Sequence, residues 1–274
     1  MSEESSPSMR PAKGKAAPWL LAVLALSLAV NAWLVGSLKR AGGETPADLF
    51  WIVCHENASA EERRRAFLAL LDLGHGEWRS ARLQRLDFRG MDFSGRRLDG
   101  ADLTGCNFSG ARLTDASLVN VELPVADLVG AEFSGARMDG IDLFRSGLDQ
   151  AKLAGVSLRG GHLQEAAARG ADFSGADLAD SDLLMARLTG ANLSGANLSG
   201  ADLEAVDLRS TSLRDARLDG ARLKDADFGG SDWWRARGLT TEDLERLKRE
   251  FAPGEDAGAD QRDDYADWLR GAGG

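Results

Sequence analysis

The 274-residue chain is poor in the residue types that most often carry chemistry, with two cysteines and three histidines in all. Cys54 and Cys106 lie far apart, without a CxxC or CxxCH neighbourhood. That excludes a dithiol redox motif and haem attachment and leaves two unpaired thiols. His55, His75 and His162 have no HExxH or comparable spacing, even at Cys54-His55-Glu56, so no metal is expected. There is no GxGxxG, P-loop or GxSxG, and the glycines serve corners rather than phosphates. No nucleophile stands beside a base. A non-enzyme is expected, with no cofactor and no small-molecule substrate. Positive charge is short as well: the net charge is −10. Residues 81–234 hold most of it, with 17 basic and 24 acidic side chains. Such a chain is no general phosphate binder, so direct nucleic-acid binding is not expected, whereas a basic partner suits it.

What the chain has is a repeat. In Ala191 to Leu208, ANLSGANLSGADLEAVDL, leucines recur every fifth residue, and Ala191, Ala196, Ala201 and Val206 stand two places before them. The register runs without a slip from Leu83 to Trp233. Of its 31 positions, 22 are Leu, six Phe, one Met and one Trp; the exception is Ala168. A fixed short period over 150 residues signals a solenoid, since a helix needs 3.6 and a plain strand 2. In an extended segment the residue two before the central one shares its face, so both point inward. The flanking residues, mostly Asp, Asn, Arg, Ser or Thr, point outward. Two places after the centre comes Gly, Asp or Asn, which tolerate corner conformations. Sorted at period twenty, Phe88, Phe108 and Phe228 fall on one side and Phe93, Phe133, Phe173 and Trp233 on the next, which favours four sides.

The motif A(D/N)LXX, seen at Ala101-Asp102-Leu103, Ala171-Asp172-Phe173, Ala176-Asp177-Leu178, Ala191-Asn192-Leu193 and Ala226-Asp227-Phe228, resembles that of the pentapeptide-repeat family. The resemblance implies an all-β solenoid, a right-handed quadrilateral parallel β-helix with one pentapeptide per side. Thirty-one units make just under eight coils, a rod about 37 Å long at about 4.8 Å per coil. The fold implies no single function.

The rest of the chain reads as appendages. Residues 1–18 have the composition of a disordered tail. Residues 19–38, WLLAVLALSLAVNAWLVGSL, carry no charge and are long enough to span a bilayer, with Trp19 and Trp33 near the ends and Lys39 and Arg40 closing the run. An uncleaved single-pass membrane helix is expected there. Arg10, Lys13 and Lys15 before it favour an inside N-terminus and an extracytoplasmic solenoid. Residues 39–80 read as a linker and helical N-terminal cap, with Thr45 and Pro46 opening one helix and a Ser59–Glu62 capping box opening another. Arg63, Arg64 and Arg65 read as a solvated face. Residues 235–253 form a helical C-terminal cap with a Thr240–Asp243 box, and 254–274 an acidic tail with a short amphipathic turn at Tyr265, Trp268 and Leu269. Caps are expected because an open coil would recruit another strand. Ala168, small in a bulky slot within the helix-favouring run QEAAAR, predicts a void or a bulge.

One side departs from the repeat's own preferences. Before its central leucines stand Asp102, Glu122, Asp142, His162, Asp182 and Asp202, an acidic ladder; Asp is also the usual repeat residue there. After them stand Pro124, Phe144 and Leu184 where Ser or Thr is usual, and Val125 and Met185 hold corners in place of Gly. Outward apolar residues on a rod ask for an explanation. The expected function is a membrane-anchored, non-catalytic scaffold that binds a protein partner through Glu122, Pro124, Val125, Asp142, Phe144, Asp182, Leu184, Met185 and Asp202. The alternative implied by the resemblance is a DNA-mimicking regulator of an enzyme such as gyrase; the interleaved Arg97, Arg137, Arg159 and Arg217 weigh against it.

Overall fold

The computed structural model describes residues 44–78 and 81–271. The chain divides into two compact units, residues 1–49 and 50–274. In the first, Thr45 opens helix α1 (Pro46–Cys54) by accepting the Asp48 N–H at 3.1 Å, and the Asp48 carboxylate takes the Thr45 N–H in return at 3.0 Å. The tail 1–18 and the expected membrane helix 19–38 lie outside the described residues. Among the described residues no helix is long and apolar enough to cross a membrane. Those present run to 13 residues at most, about 20 Å, well short of a bilayer's hydrocarbon core. The expectation of a single-pass membrane protein with an extracytoplasmic solenoid is corrected on that finding and is not retained.

In the second unit, parallel bridges link each paired residue to the one twenty places on: Asp87 to Asn107, Asn107 to Asp127, Ser117 to Arg137. A turn falls every five residues, so each coil has four sides. The backbone accounting repeats at every side. The central N–H of Phe88 donates to Asn107 O at 2.7 Å, the Asn107 N–H returns to Leu86 O at 2.9 Å, and the corner N–H of Gly90 donates to Ser109 O at 3.0 Å. The Met91 N–H closes the turn on Phe88 O at 3.1 Å. Gly90 sits at φ 63°, the positive value that a type II turn needs at its third residue.

One N–H per repeat remains, just after the central residue, and it meets no backbone acceptor of a neighbouring coil, though at Val119 and Arg169 it reaches the carboxylates of Asp99 and Asp149 one coil back. The outward Asp or Asn just before the centre takes it: Ser94 N–H to Asp92 at 2.9 Å, Ser109 N–H to Asn107 at 2.9 Å, Glu204 N–H to Asp202 at 3.1 Å. The acidic preference of the motif is therefore a local side-chain cap on an otherwise unused donor.

The central side chains stack inside, with Phe88, Phe93 and Phe108 in mutual ring contact at 4.9–5.4 Å. Cys106 fills a small inward slot and donates its thiol to Leu83 O; burial pushes that thiol up to about 12, so it is inert. The bulge expected at Ala168 is not found. Ala167 bridges both Gly147 and Arg187, and the Ala168 N–H donates to Arg187 O at 2.8 Å. Backbone partners come from adjacent coils whatever the side chain, and they override the local helical preference.

Both ends of the coil stack are closed. Helix α2 (Ala60–Asp72) carries the Ser59–Glu62 capping box and sets Phe67 against Trp78, Phe88 and Phe93, centroids 4.6–6.5 Å apart. The first coil's carbonyls, which have no preceding coil, find side-chain donors instead. Arg63 reaches Arg82 O at 2.8 Å, Arg64 reaches Asp87 O at 3.4 Å and the Trp78 indole reaches Arg97 O at 3.0 Å. Two of the three arginines read as a solvated face thus stand in for a missing coil. At the other end a 3-10 turn (Trp233–Arg235) leads to α3 (Thr241–Phe251), with its Thr240–Asp243 box. The tail is more ordered than a short turn: α4 (Ala259–Gly271) brings Tyr265 and Trp268 onto Trp233 at 5.9 and 5.6 Å. Asp264 on α4 accepts from the Trp234 indole at 2.9 Å and pairs with Arg235.

Candidate functional site

Side 1 is the face centred on Leu103, Leu123, Leu143, Leu163, Leu183 and Leu203. Parallel bridges place its outward residues in one column: Asp102, Glu122, Asp142, His162, Asp182 and Asp202, one strand spacing apart. The structure puts a groove of about 440 Å³ between coils on this face, lined by Asp142, Phe144, His162, Gln164, Glu165, Leu184 and Met185. Four of the nine residues selected from the sequence therefore meet in one depression. Glu122, Pro124 and Val125 lie one coil before it, Asp182 and Asp202 beside or beyond it.

The acids of the column differ in what they already hold. Asp142 and Asp182 each take the N–H two residues on, at 2.9 and 3.0 Å, and Asp182 also accepts from the Gln164 amide at 2.7 Å. Burial pushes the Asp102 carboxyl up, but hydrogen bonds from Thr104 and Gln84 outweigh it and hold the group below its usual range. Asp202 pairs with Arg222 at 2.6 Å. Glu122 is exposed. The groove's apolar members are propped from the corner: the Arg145 guanidinium lies 4.9 Å over the Phe144 ring and binds Glu165 at 2.7 Å. That pairing escaped the sequence reading, although both residues occupy corner positions usually held by glycine. Val129, 43% exposed on the adjoining side, also escaped it; the signal was its place where Ser or Thr is usual.

Pro124 and Glu122 form one joint departure. The donor that Pro124 lacks is the one no neighbouring backbone uses, and Glu122 stands where its side-chain acceptor would be. Proline also suits the second position of the turn. The next residue is less comfortable. Val125 has φ 52° and is 57% exposed; Met185 has φ 59° and is 56% exposed. A β-branched side chain in the left-handed region is strained. Val125→Gly is expected to stabilise the fold by about 1 kcal/mol, the relieved strain exceeding glycine's entropic cost. Urea unfolding measures this, and a loss of stability would show that Val125 packs against its own chain.

Among the described residues no cluster of His, Cys, Asp and Glu could hold a metal ion. Stacked twenty-residue coils with closed ends define a four-sided repeat solenoid. The model of pentapeptide repeats matches residues 79–110, 106–145, 146–183 and 186–225, more than half of the chain. The chain belongs to the pentapeptide-repeat family. Comparison with curated proteins gives no match. Among solved structures it is similar to QnrB1, a plasmid-mediated fluoroquinolone resistance protein, at 23% identity over 49% of this chain and 75% of that one, TM-score 0.41. It is also similar to HetL of the cyanobacterium Nostoc, involved in heterocyst differentiation regulation, at 25% identity over 63% and 95%, TM-score 0.29. A third, from the thylakoid lumen of Arabidopsis thaliana, has 28% identity over 43% and 86%, TM-score 0.35.

Proposed function

We propose that this protein is a non-catalytic scaffold that binds a protein partner through side 1 of its solenoid, centred on Phe144, Leu184 and Met185. The observation that carries the reading is the pair of exposed apolar corners. Val125 and Met185 keep apolar side chains in solvent at left-handed φ, a conformation that nineteen of the described glycines and eleven other described non-glycine residues also adopt. Retaining strain and apolar exposure together is unfavourable for the monomer and favourable for a complex. The DNA-mimic alternative asks for a continuous acidic surface. The other three sides carry cross-coil ion pairs instead, such as Arg112–Asp92, Lys152–Glu132, Arg159–Asp177 and Arg209–Asp227.

The test is the double substitution Phe144→Ser, Leu184→Ser. Both side chains are partly exposed, so the thermal midpoint should move by only a few degrees while partner co-purification is lost. Burying the part of each side chain still exposed contributes at most about 1.5 kcal/mol, at ~25 cal/mol per Å², before ordering costs. Retention of every partner would refute the reading.

A further inference from the structure

The other three sides interleave acids with cations; side 1 does not. Between Asp102 and Glu204 neither position flanking its central leucines holds a lysine or arginine. The cations of the next coil, Arg222 and Lys224, are spent on Asp202 and Glu204 at 2.6–3.2 Å. The corner cation Arg145 is spent on Glu165. Among the described residues Asp102, Glu122, Asp142 and Asp182 are thus carboxylates without a cationic partner, and the apolar groove lies between Glu122 and Asp182.

Resting on the partner-binding reading above, we infer that the occupant of side 1 is a basic amphipathic α-helix lying along the solenoid axis. The argument is one of spacing and charge. Coils repeat at about 4.8 Å. A helix repeats at about 5.4 Å per turn, so one turn meets one coil and the mismatch over four coils stays near 2.4 Å. An extended strand presents the same face only every ~6.7 Å and falls out of step after a single coil. Phe144 and Leu184 are two coils apart, about 9.6 Å, close to the ~10.5 Å between helix positions i and i+7. One apolar knob enters the groove over Gln164. Lysines or arginines one turn to either side face Glu122 and Asp142 in one direction and Asp182 in the other. Asp142 keeps one oxygen on the Phe144 N–H, which aims the other outward without further ordering. The charge arrangement supplies register and approach rate; the knob supplies the buried area.

The experiment uses the full chain and a fluorescein-labelled peptide of about fifteen residues, four helical turns, with leucines at helical spacing and lysines elsewhere. Three variants are compared after their thermal midpoints have been matched. Glu122→Gln with Asp142→Asn keeps the acceptor for the Phe144 N–H. Phe144→Ser with Leu184→Ser empties the groove walls. Glu132→Gln with Asp172→Asn removes the same formal charge from the opposite side. Anisotropy is expected to show both side-1 variants weakening the peptide about tenfold or more, and the opposite-side variant leaving it within about twofold. Raised salt should weaken binding to the wild type more than to the Glu122→Gln, Asp142→Asn variant. Equal weakening by the opposite-side variant, equal binding of a leucine–glutamate peptide, or equal binding of a peptide with leucines alternating at strand spacing would each overturn the inference. So would no binding at all. If the peptide fails while Phe144→Ser, Leu184→Ser still loses its cellular partner, only the helix inference falls. If that variant keeps every partner, the scaffold reading falls with it.

Discussion

Leu198→Asp is expected to unfold the centre of the solenoid. Leu198 is fully buried, and its N–H is committed to Arg217 O at 2.8 Å, so the side chain cannot swing outward without breaking the stack. The substitution loses about 1.5–3 kcal/mol of apolar burial. It also places a carboxylate among leucines with no donor in reach, which adds several kcal/mol or forces the acid to remain protonated. A total of about 5 kcal/mol or more approaches the whole stability of a typical domain. Leu198→Met, which conserves volume and polarity, should cost less than about 1.5 kcal/mol. Urea titration followed by circular dichroism separates the two. A folded, cooperative Leu198→Asp protein would mean that the central residues do not face inward there.

Phe67→Ala is expected to have the next largest effect, of about 3–5 kcal/mol, and to act locally. Phe67 is fully buried and joins the cap to the first coil through Trp78, Phe88 and Phe93. Losing it loosens α2 and, with it, the Arg63 and Arg64 donors on the first coil's carbonyls. In a solenoid each coil touches only its neighbours, so the damage propagates inward by fraying rather than as one cooperative event. Hydrogen exchange should accelerate in residues 86–118 and stay slow in 171–208. The bared coil edge should promote self-association at high concentration. Uniform acceleration along the chain would show that the cap stabilises the stack as a single unit.

The inward face of the solenoid was legible residue by residue. Leu193, Leu198 and Leu203 are each fully buried, because a five-residue period with one bulky and one small inward position has only one way to hide its apolar groups. The coil at Ala168 was misread for a physical reason. Local composition favoured a helix, but the hydrogen bonds of that coil are supplied by residues twenty places before and after it, which no local window contains. The arginines of α2 were misread likewise: charge pattern alone cannot show that a carbonyl edge lies within reach. The span at 19–38 was read from its length, apolarity and aromatic and basic flanks, and the described helices give it no support.

For the candidate site, sequence position alone put Phe144 and Leu184 on one face and Glu122, Asp142 and Asp182 in one column, because twenty residues per coil turns sequence separation into distance. Only the tertiary structure decided which acids are free. Asp202 is matched by Arg222 from the next coil and Glu165 by Arg145 from the coil before, while Glu122 meets no cation among the described residues. Repeat period determines which residues are neighbours; the reach and rotamer of each side chain determine which neighbours pair. The groove between Phe144 and Leu184 belongs to the second kind of fact, since it exists because Arg145 lies over one ring and Gln164 turns aside to Asp182.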